Sequence, residues 1–157
     1  MTEYFSSYPF NNSSKVEKRD FDKLPLGYIV YSDKSCFDGQ IIEKISNGRL
    51  NFVTFLCEHV NNPTIESIVN RKYSGISYEI ESKIDAYSSI VFRKNSGAND
   101  AIIIRKYNSS NIITSEACFE NGELLQYDEL IYDSNNNLLE TKTFIGKNAW
   151  VIEKHLT

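Results

Sequence analysis

The sequence predicts an α+β domain that is mainly β, an antiparallel meander of about 8–10 strands forming a curved sheet or partial barrel, with one or two short helices. Three observations carry this reading. From Gly27 onward β-branched and aromatic residues recur at period two; single Gly, Asn and Ser residues break the pattern at about strand length; and Asn-Gly pairs stand between alternating segments. Asn and Gly tolerate the positive φ that a two-residue hairpin turn requires, so each pair implies two antiparallel strands.

Taken in order, the first 26 residues differ from the rest, with Tyr4, Phe5, Tyr8 and Phe10 among Ser and Asn, then a charged stretch from Lys15 to Lys23. Ser14 and Glu17 have the spacing of a capping box, which predicts a short helix over Lys15–Leu24, stopped by Pro25. The aromatics are expected to anchor this arm. The body, residues 27–157, then offers candidate strands at Tyr28–Tyr31, Gln40–Ser46, Arg49–Cys57, Ile76–Ile84 and Tyr87–Arg93. Further candidates follow at Ala101–Tyr107, Ile112–Phe119, Leu124–Tyr132, Leu138–Ile145 and Ala149–His155. A helix interrupts them where Asn62 can cap, Pro63 suits the first turn, and Ile65, Ile68 and Val69 form a stripe ending near Tyr73-Ser74-Gly75.

The two turns set a register if the strands run without interruption. Asn47-Gly48 then places Ile45 opposite Leu50 and Ile42 opposite Val53, while Asn121-Gly122 places Phe119 opposite Leu124, Ile113 opposite Leu130 and Ile112 opposite Ile131. With no long linker or charge block, a single domain over residues 1–157 is expected.

Composition narrows the function. Apolar residues make up 41% and charged residues 24%, ordinary for a globular domain that folds by burial alone. No apolar run is long enough to span a bilayer and Met1–Phe10 lacks the layout of a signal peptide, so a cytoplasmic protein without a membrane role is expected. A net charge of −4 argues against direct nucleic-acid binding, which needs clustered cations to neutralise phosphates. Cys36, Cys57 and Cys118 are odd in number and far apart, outside any metal-ligand spacing, and are expected as reduced, packed thiols.

Motifs for chemistry are absent. His59 and His155 have no acid, thiol or second histidine at a spacing that builds a dyad or metal pair, and the seven glycines are scattered outside any phosphate loop. Glu79 and Glu81 alternate with Tyr78 and Ile80, as on the solvated face of a half-buried strand. The pairs Arg71-Lys72, Arg93-Lys94 and Arg105-Lys106 sit at element edges, matched by nearby acids. No catalytic residue, metal or cofactor is expected.

One segment departs from an ordinary surface. Glu116, Glu120, Glu123, Asp128, Glu129, Asp133 and Glu140 fall between positions 116 and 140 without one Lys or Arg. In the uninterrupted register Glu116 opposes Tyr127 and Thr114 opposes Glu129, so two carboxylates and an aromatic ring share a face suited to a basic protein partner. Glu116, Tyr127 and Glu129 are the expected contact, with Glu120, Glu123 and Asp133 steering from the rim.

The residues Phe119-Glu-Asn-Gly-Glu-Leu-Leu125 and Tyr132-Asp-Ser-Asn-Asn-Asn-Leu-Leu-Glu-Thr-Lys-Thr-Phe144 resemble the hairpin units of YD-type and MORN-like repeats. Asn136 stands where that pattern has Gly, and Asn tolerates the same left-handed conformation. The resemblance implies bacterial antitoxins and immunity proteins, among which such repeats are found. The leading expectation is therefore a non-enzymatic immunity protein that neutralises a toxin domain through an acidic surface. A small-molecule carrier built on a closed meander is the alternative, and an enzyme assembled from distant strands is a third class.

Overall fold

A computed structural model describes residues 1–7, 14–32, 39–58, 62–95, 99–146 and 149–155. Eleven strands hydrogen-bond in chain order in one mostly antiparallel sheet, so β1 and β11 are edges and the sheet does not close into a barrel. All ten strands expected from periodicity form. An eleventh, β1 (Thr2–Phe5), lies in the segment read as an arm and pairs antiparallel with β2 (Leu26–Tyr31). The chain divides into two compact units, Met1–Ser82 with Arg93–Ala98, and Lys83–Phe92 with Asn99–Thr157.

In the first unit, β2 is followed by β3 (Gly39–Ser46) and β4 (Arg49–Cys57) in a meander. β5 (Tyr78–Asp85) then runs parallel to β4, a connection that needs a crossover, and α2 (Asn62–Lys72) supplies it. The predicted stripe Ile65, Ile68 and Val69 is buried with Val53, Phe55, Tyr73 and Ile80. Tyr73 and Tyr78 each meet the Phe55 ring edge-on at 6.0 Å between centroids. Phe5, Val30 and Ile42 form a further cluster with Tyr28 and Leu56.

The N-terminal helix is shorter than the capping-box spacing implies. α1 spans Lys18–Phe21, Glu17 is its N-cap, and no side chain caps it. Ser14 is instead buried beside β1, where its carbonyl accepts from the Ser6 N–H and hydroxyl, and Lys15 bridges Phe5. Strand pairing satisfies the backbone that the cap would have served. Phe21 packs under Gly27, where a Cβ would collide with its ring.

The second unit holds the rest of the meander. β6 (Ser88–Lys94) is shared between the units, and β7 (Ala101–Tyr107), β8 (Ile113–Glu120), β9 (Glu123–Tyr132), β10 (Leu138–Ile145) and β11 (Ala149–Lys154) follow. Asn47-Gly48 and Asn121-Gly122 take positive φ at both residues, as a type I′ hairpin demands. The first pairs beyond them, Ile45 with Leu50 and Phe119 with Leu124, match the expected register.

Farther out the register slips by one residue in both hairpins. Asn51 is extra in β4, so Ile42 faces Thr54 rather than Val53; Leu125 is extra in β9, so Ser115 rather than Thr114 faces Glu129. Each is a β-bulge, which places two residues of one strand against one of its partner.

Two longer turns repeat each other in detail. The Asn108 side-chain oxygen accepts from the Ser110 and Ile112 N–H groups, and the Asp133 carboxylate accepts from those of Asn135 and Asn137. Asn111 and Asn136 both take positive φ, and register shifts follow both turns, at Thr114 and Leu139. Positions 107–114 and 132–139 thus form equivalent turns 25 residues apart, each opened by a Tyr and an Asx residue.

Candidate functional site

Residues directly opposite in an antiparallel pair share a face, so the bulge at Leu125 decides where each acidic residue lies. Glu116 faces Asp128 on one side of the sheet, whereas Tyr127 faces Ala117 and Glu129 faces Ser115 on the other. The expected trio of Glu116, Tyr127 and Glu129 is therefore divided between two faces. Sequence reasoning missed the bulge because nothing in Glu123-Leu124-Leu125-Gln126 marks which residue the ladder skips.

On the first face the acids are engaged internally. Arg105, nearly buried, donates from Nε to Glu116 Oε1 at 2.9 Å. Asp128 accepts from the Thr143 hydroxyl at 2.6 Å and the Gln126 amide at 2.7 Å. Burial, then the Glu116 charge, raises the Tyr132 phenol above its ordinary pKa. Glu116 thus acts as counter-ion to a desolvated arginine.

The second face is apolar at one end and mixed in charge at the other. Ile102, Phe119 and Leu124 are consecutive cross-strand partners, and Ile104, Ala117, Tyr127 and Phe144 form the next row. Lys106, Ser115, Glu129, Lys142 and Ile152 form the row beyond. Glu129 therefore has Lys142 as a direct neighbour, and this face is not acidic.

The acids that remain uncommitted flank the Asn121-Gly122 turn. Glu120 and Glu123 are direct cross-strand partners, and among the described residues neither has a cationic partner; Glu120 receives only a 3.4 Å contact from the Asn99 amide. Like charges in this arrangement repel. On their face the Cys118–Gln126 row ends in Ile145, 56% exposed, while Ile102 and Leu124, 43% and 41% exposed, lie on the second face of the same tip and the extra residue Leu125 is 46% exposed. Asp133 sits apart, in its turn, with its carboxyl held below the usual range first by the Asn137 side-chain hydrogen bond and then by the Asn137 N–H.

Other charged groups are structural. Glu79 and Glu81 are 5% and 7% exposed, not solvated as the alternation suggested. Glu79 accepts from the Thr54 hydroxyl and from Arg93, whose guanidinium lies over the Phe52 ring. Glu43 accepts from the Tyr31 and Tyr73 hydroxyls and from Lys72. One member of each basic pair thus finds its acid on another element: Lys72 of α2 with Glu43, Arg93 with Glu79, Arg105 with Glu116.

Among the described residues no group of three or more His, Cys, Asp and Glu side chains could hold a metal ion, and no buried side-chain polar atom lacks a partner. Neither Cys57 nor Cys118 is in a disulfide among the described residues, and burial raises the Cys57 pKa; Cys36 and His59 lie outside the described residues. His155 exchanges a 2.9 Å hydrogen bond with Thr141 at an exposed position. A recess of ≈ 400 Å³ along α2, lined by Pro63, Thr64, Ser67, Ile68 and Arg71, is open and has no buried ionisable wall. Among the described residues no helix is long and apolar enough to cross a membrane.

These features define a mainly β protein with an open sheet and a hairpin tip that carries opposed carboxylates on one face and exposed aliphatic side chains on both. In comparisons with known proteins, the chain matches no family model, no curated protein and no solved structure.

Proposed function

We propose that the chain is a non-enzymatic binding protein, an immunity protein that neutralises a bacterial toxin domain by docking a basic surface on the β8–β9 tip. The observation that carries this reading is the pair Glu120 and Glu123, opposed without a cation among the described residues, at a hairpin tip that exposes aliphatic side chains on both faces. A cationic partner would relieve their repulsion, and the aliphatic groups would supply desolvated anchors. The repeat resemblance supports the same class. In this reading the partner reaches round the tip to Tyr127 and Glu129 on the second face, Asp133 shapes a turn, and Glu116 supports the sheet through Arg105.

The test is co-expression with the C-terminal domain encoded by the neighbouring open reading frame. Growth rescue and a stable complex are expected. Charge reversal at Glu120 and Glu123 should slow association at low salt and leave dissociation nearly unchanged, because exposed charges act mainly on encounter. Absence of a complex, or unchanged association by the doubly reversed variant, would reject the reading.

A further inference from the structure

The edge strand β11 presents a backbone pattern that is complementary to itself. The His155 N–H donates to the Leu139 carbonyl, so in the β10–β11 register the inward-bonding residues of β11 are Glu153, Val151 and Ala149. By alternation, the N–H and C=O groups of Trp150, Ile152 and Lys154 point outward. No strand pairs with that side of β11 among the described residues. The Ile152 side chain is 54% exposed.

Independently of the toxin partner, we propose that β11 pairs antiparallel with β11 of a second copy of this chain, about a two-fold axis through Ile152. The geometry selects this register. Ile152 then exchanges both hydrogen bonds with its own copy, and Trp150 and Lys154 exchange theirs with Lys154 and Trp150 of the other chain, so every outward group is used. A slip of two residues one way would oppose Glu153 to its own copy, and a slip the other way would leave Lys154 facing a position outside the strand. In the chosen register Glu153 faces Val151 and no like charges are opposed.

The opposite edge favours closure at two copies. β1 already carries Lys15 in a bridge to Phe5, with the Ser6 N–H donating to Ser14 and the Val16 N–H to Tyr4. A second β11 therefore meets an occupied edge at β1 and an open one at β11. The result is an isologous contact that cannot propagate.

Sedimentation over a wide concentration range tests the proposal. The mass should rise from 18.1 kDa to twice that value and stop. Ile152→Lys sets like charges against each other at the axis and should abolish the rise, while Ile84→Lys, at an equally exposed position on β5, should not. Ile152→Cys offers a second readout. Its Cα would lie about 5.5 Å from its copy, within disulfide range, so mild oxidation should give a reducible dimer. Val151→Cys, about 8 Å from its copy, should not cross-link. A parental mass fixed at 18.1 kDa, growth beyond two copies, association of Ile152→Lys at parental strength, or equal cross-linking of both cysteine variants would each overturn it.

Discussion

Replacing Glu43 with Gln tests how the first unit balances a buried charge. Its carboxylate accepts from Tyr31 at 3.0 Å, Tyr73 at 2.8 Å and Lys72 at 2.9 Å, and Tyr73 is only 1% exposed. Gln keeps the shape and one acceptor oxygen, but removes the charge and turns a donor toward one of the three donors. Hydrogen bonds to a charged group contribute about 1.5–3 kcal/mol each, and an unsatisfied buried donor costs about 1–3 kcal/mol. Lys72 is half exposed and water replaces much of its loss, so the two tyrosines dominate. A net loss of about 2–4 kcal/mol is expected from urea denaturation with an unchanged m-value. Tyr73→Phe should cost about 1–2 kcal/mol alone and less when combined with Glu43→Gln, since the charged acceptor has already gone. A Glu43→Gln midpoint within about 0.5 kcal/mol of the parent, or strict additivity with Tyr73→Phe, would refute the hub.

The same tyrosines predict an alkaline limit: burial first, then Glu43, raises the pKa of Tyr31 and Tyr73 far above the ordinary value of 10.0. A raised folded-state pKa means that stability is intact below about pH 10 and falls above it, as the unfolded chain ionises first, by about 1.4 kcal/mol per pH unit for each tyrosine; denaturation between pH 8 and 11 measures it. Gly48→Val and Gly122→Val force a branched residue to φ near 71° and 81° and should each cost about 1 kcal/mol or more in the same assay. Glu123→Lys should stabilise the isolated protein by about 0.2–1 kcal/mol, by opposing a cation to Glu120, and should weaken capture of the proposed basic partner; a destabilised variant would remove the repulsion argument. Thiol titration of the native protein, denatured without reductant, should return three free groups, Cys36, Cys57 and Cys118, and a return of one would overturn the expectation of reduced thiols.

Ten strands and the crossover helix were legible because each carries its own period and its own stop signal, as with Asn121-Gly122 or Pro63. Three features were not. β1 is four residues long and becomes a strand only through its pairing with β2. The bulges at Asn51 and Leu125 leave hydrophobic alternation acceptable in either register, and one residue of slip was enough to divide Glu116 from Tyr127 and Glu129. Glu79 and Glu81 alternate like a wet face, yet Arg93 and Thr54 make a buried Glu79 tolerable from elsewhere in the chain. Long-range compensation leaves no local trace in a sequence.

The divided site gives the acids different tasks. Glu116 and Asp128 each have hydrogen-bond partners that hold neighbouring strands together, so removing either would loosen the sheet before it affected a partner. Glu120 and Glu123 contribute nothing comparable; opposed to each other, they cost the hairpin stability. The same tip exposes both Leu124 and the bulged Leu125, neighbours that an uninterrupted strand would send to opposite faces. Among the described residues no helix belongs to the second unit, and in β8–β10 Ser115 alone is buried. From β8 to β10 the meander therefore rests on ladder pairs and side-chain-capped turns more than on a covered core, which lies with Val91 and Ile103 in β6 and β7. A bound partner would add both of the missing terms at once: counter-charge for the opposed glutamates and a second layer for the aliphatic residues beside them.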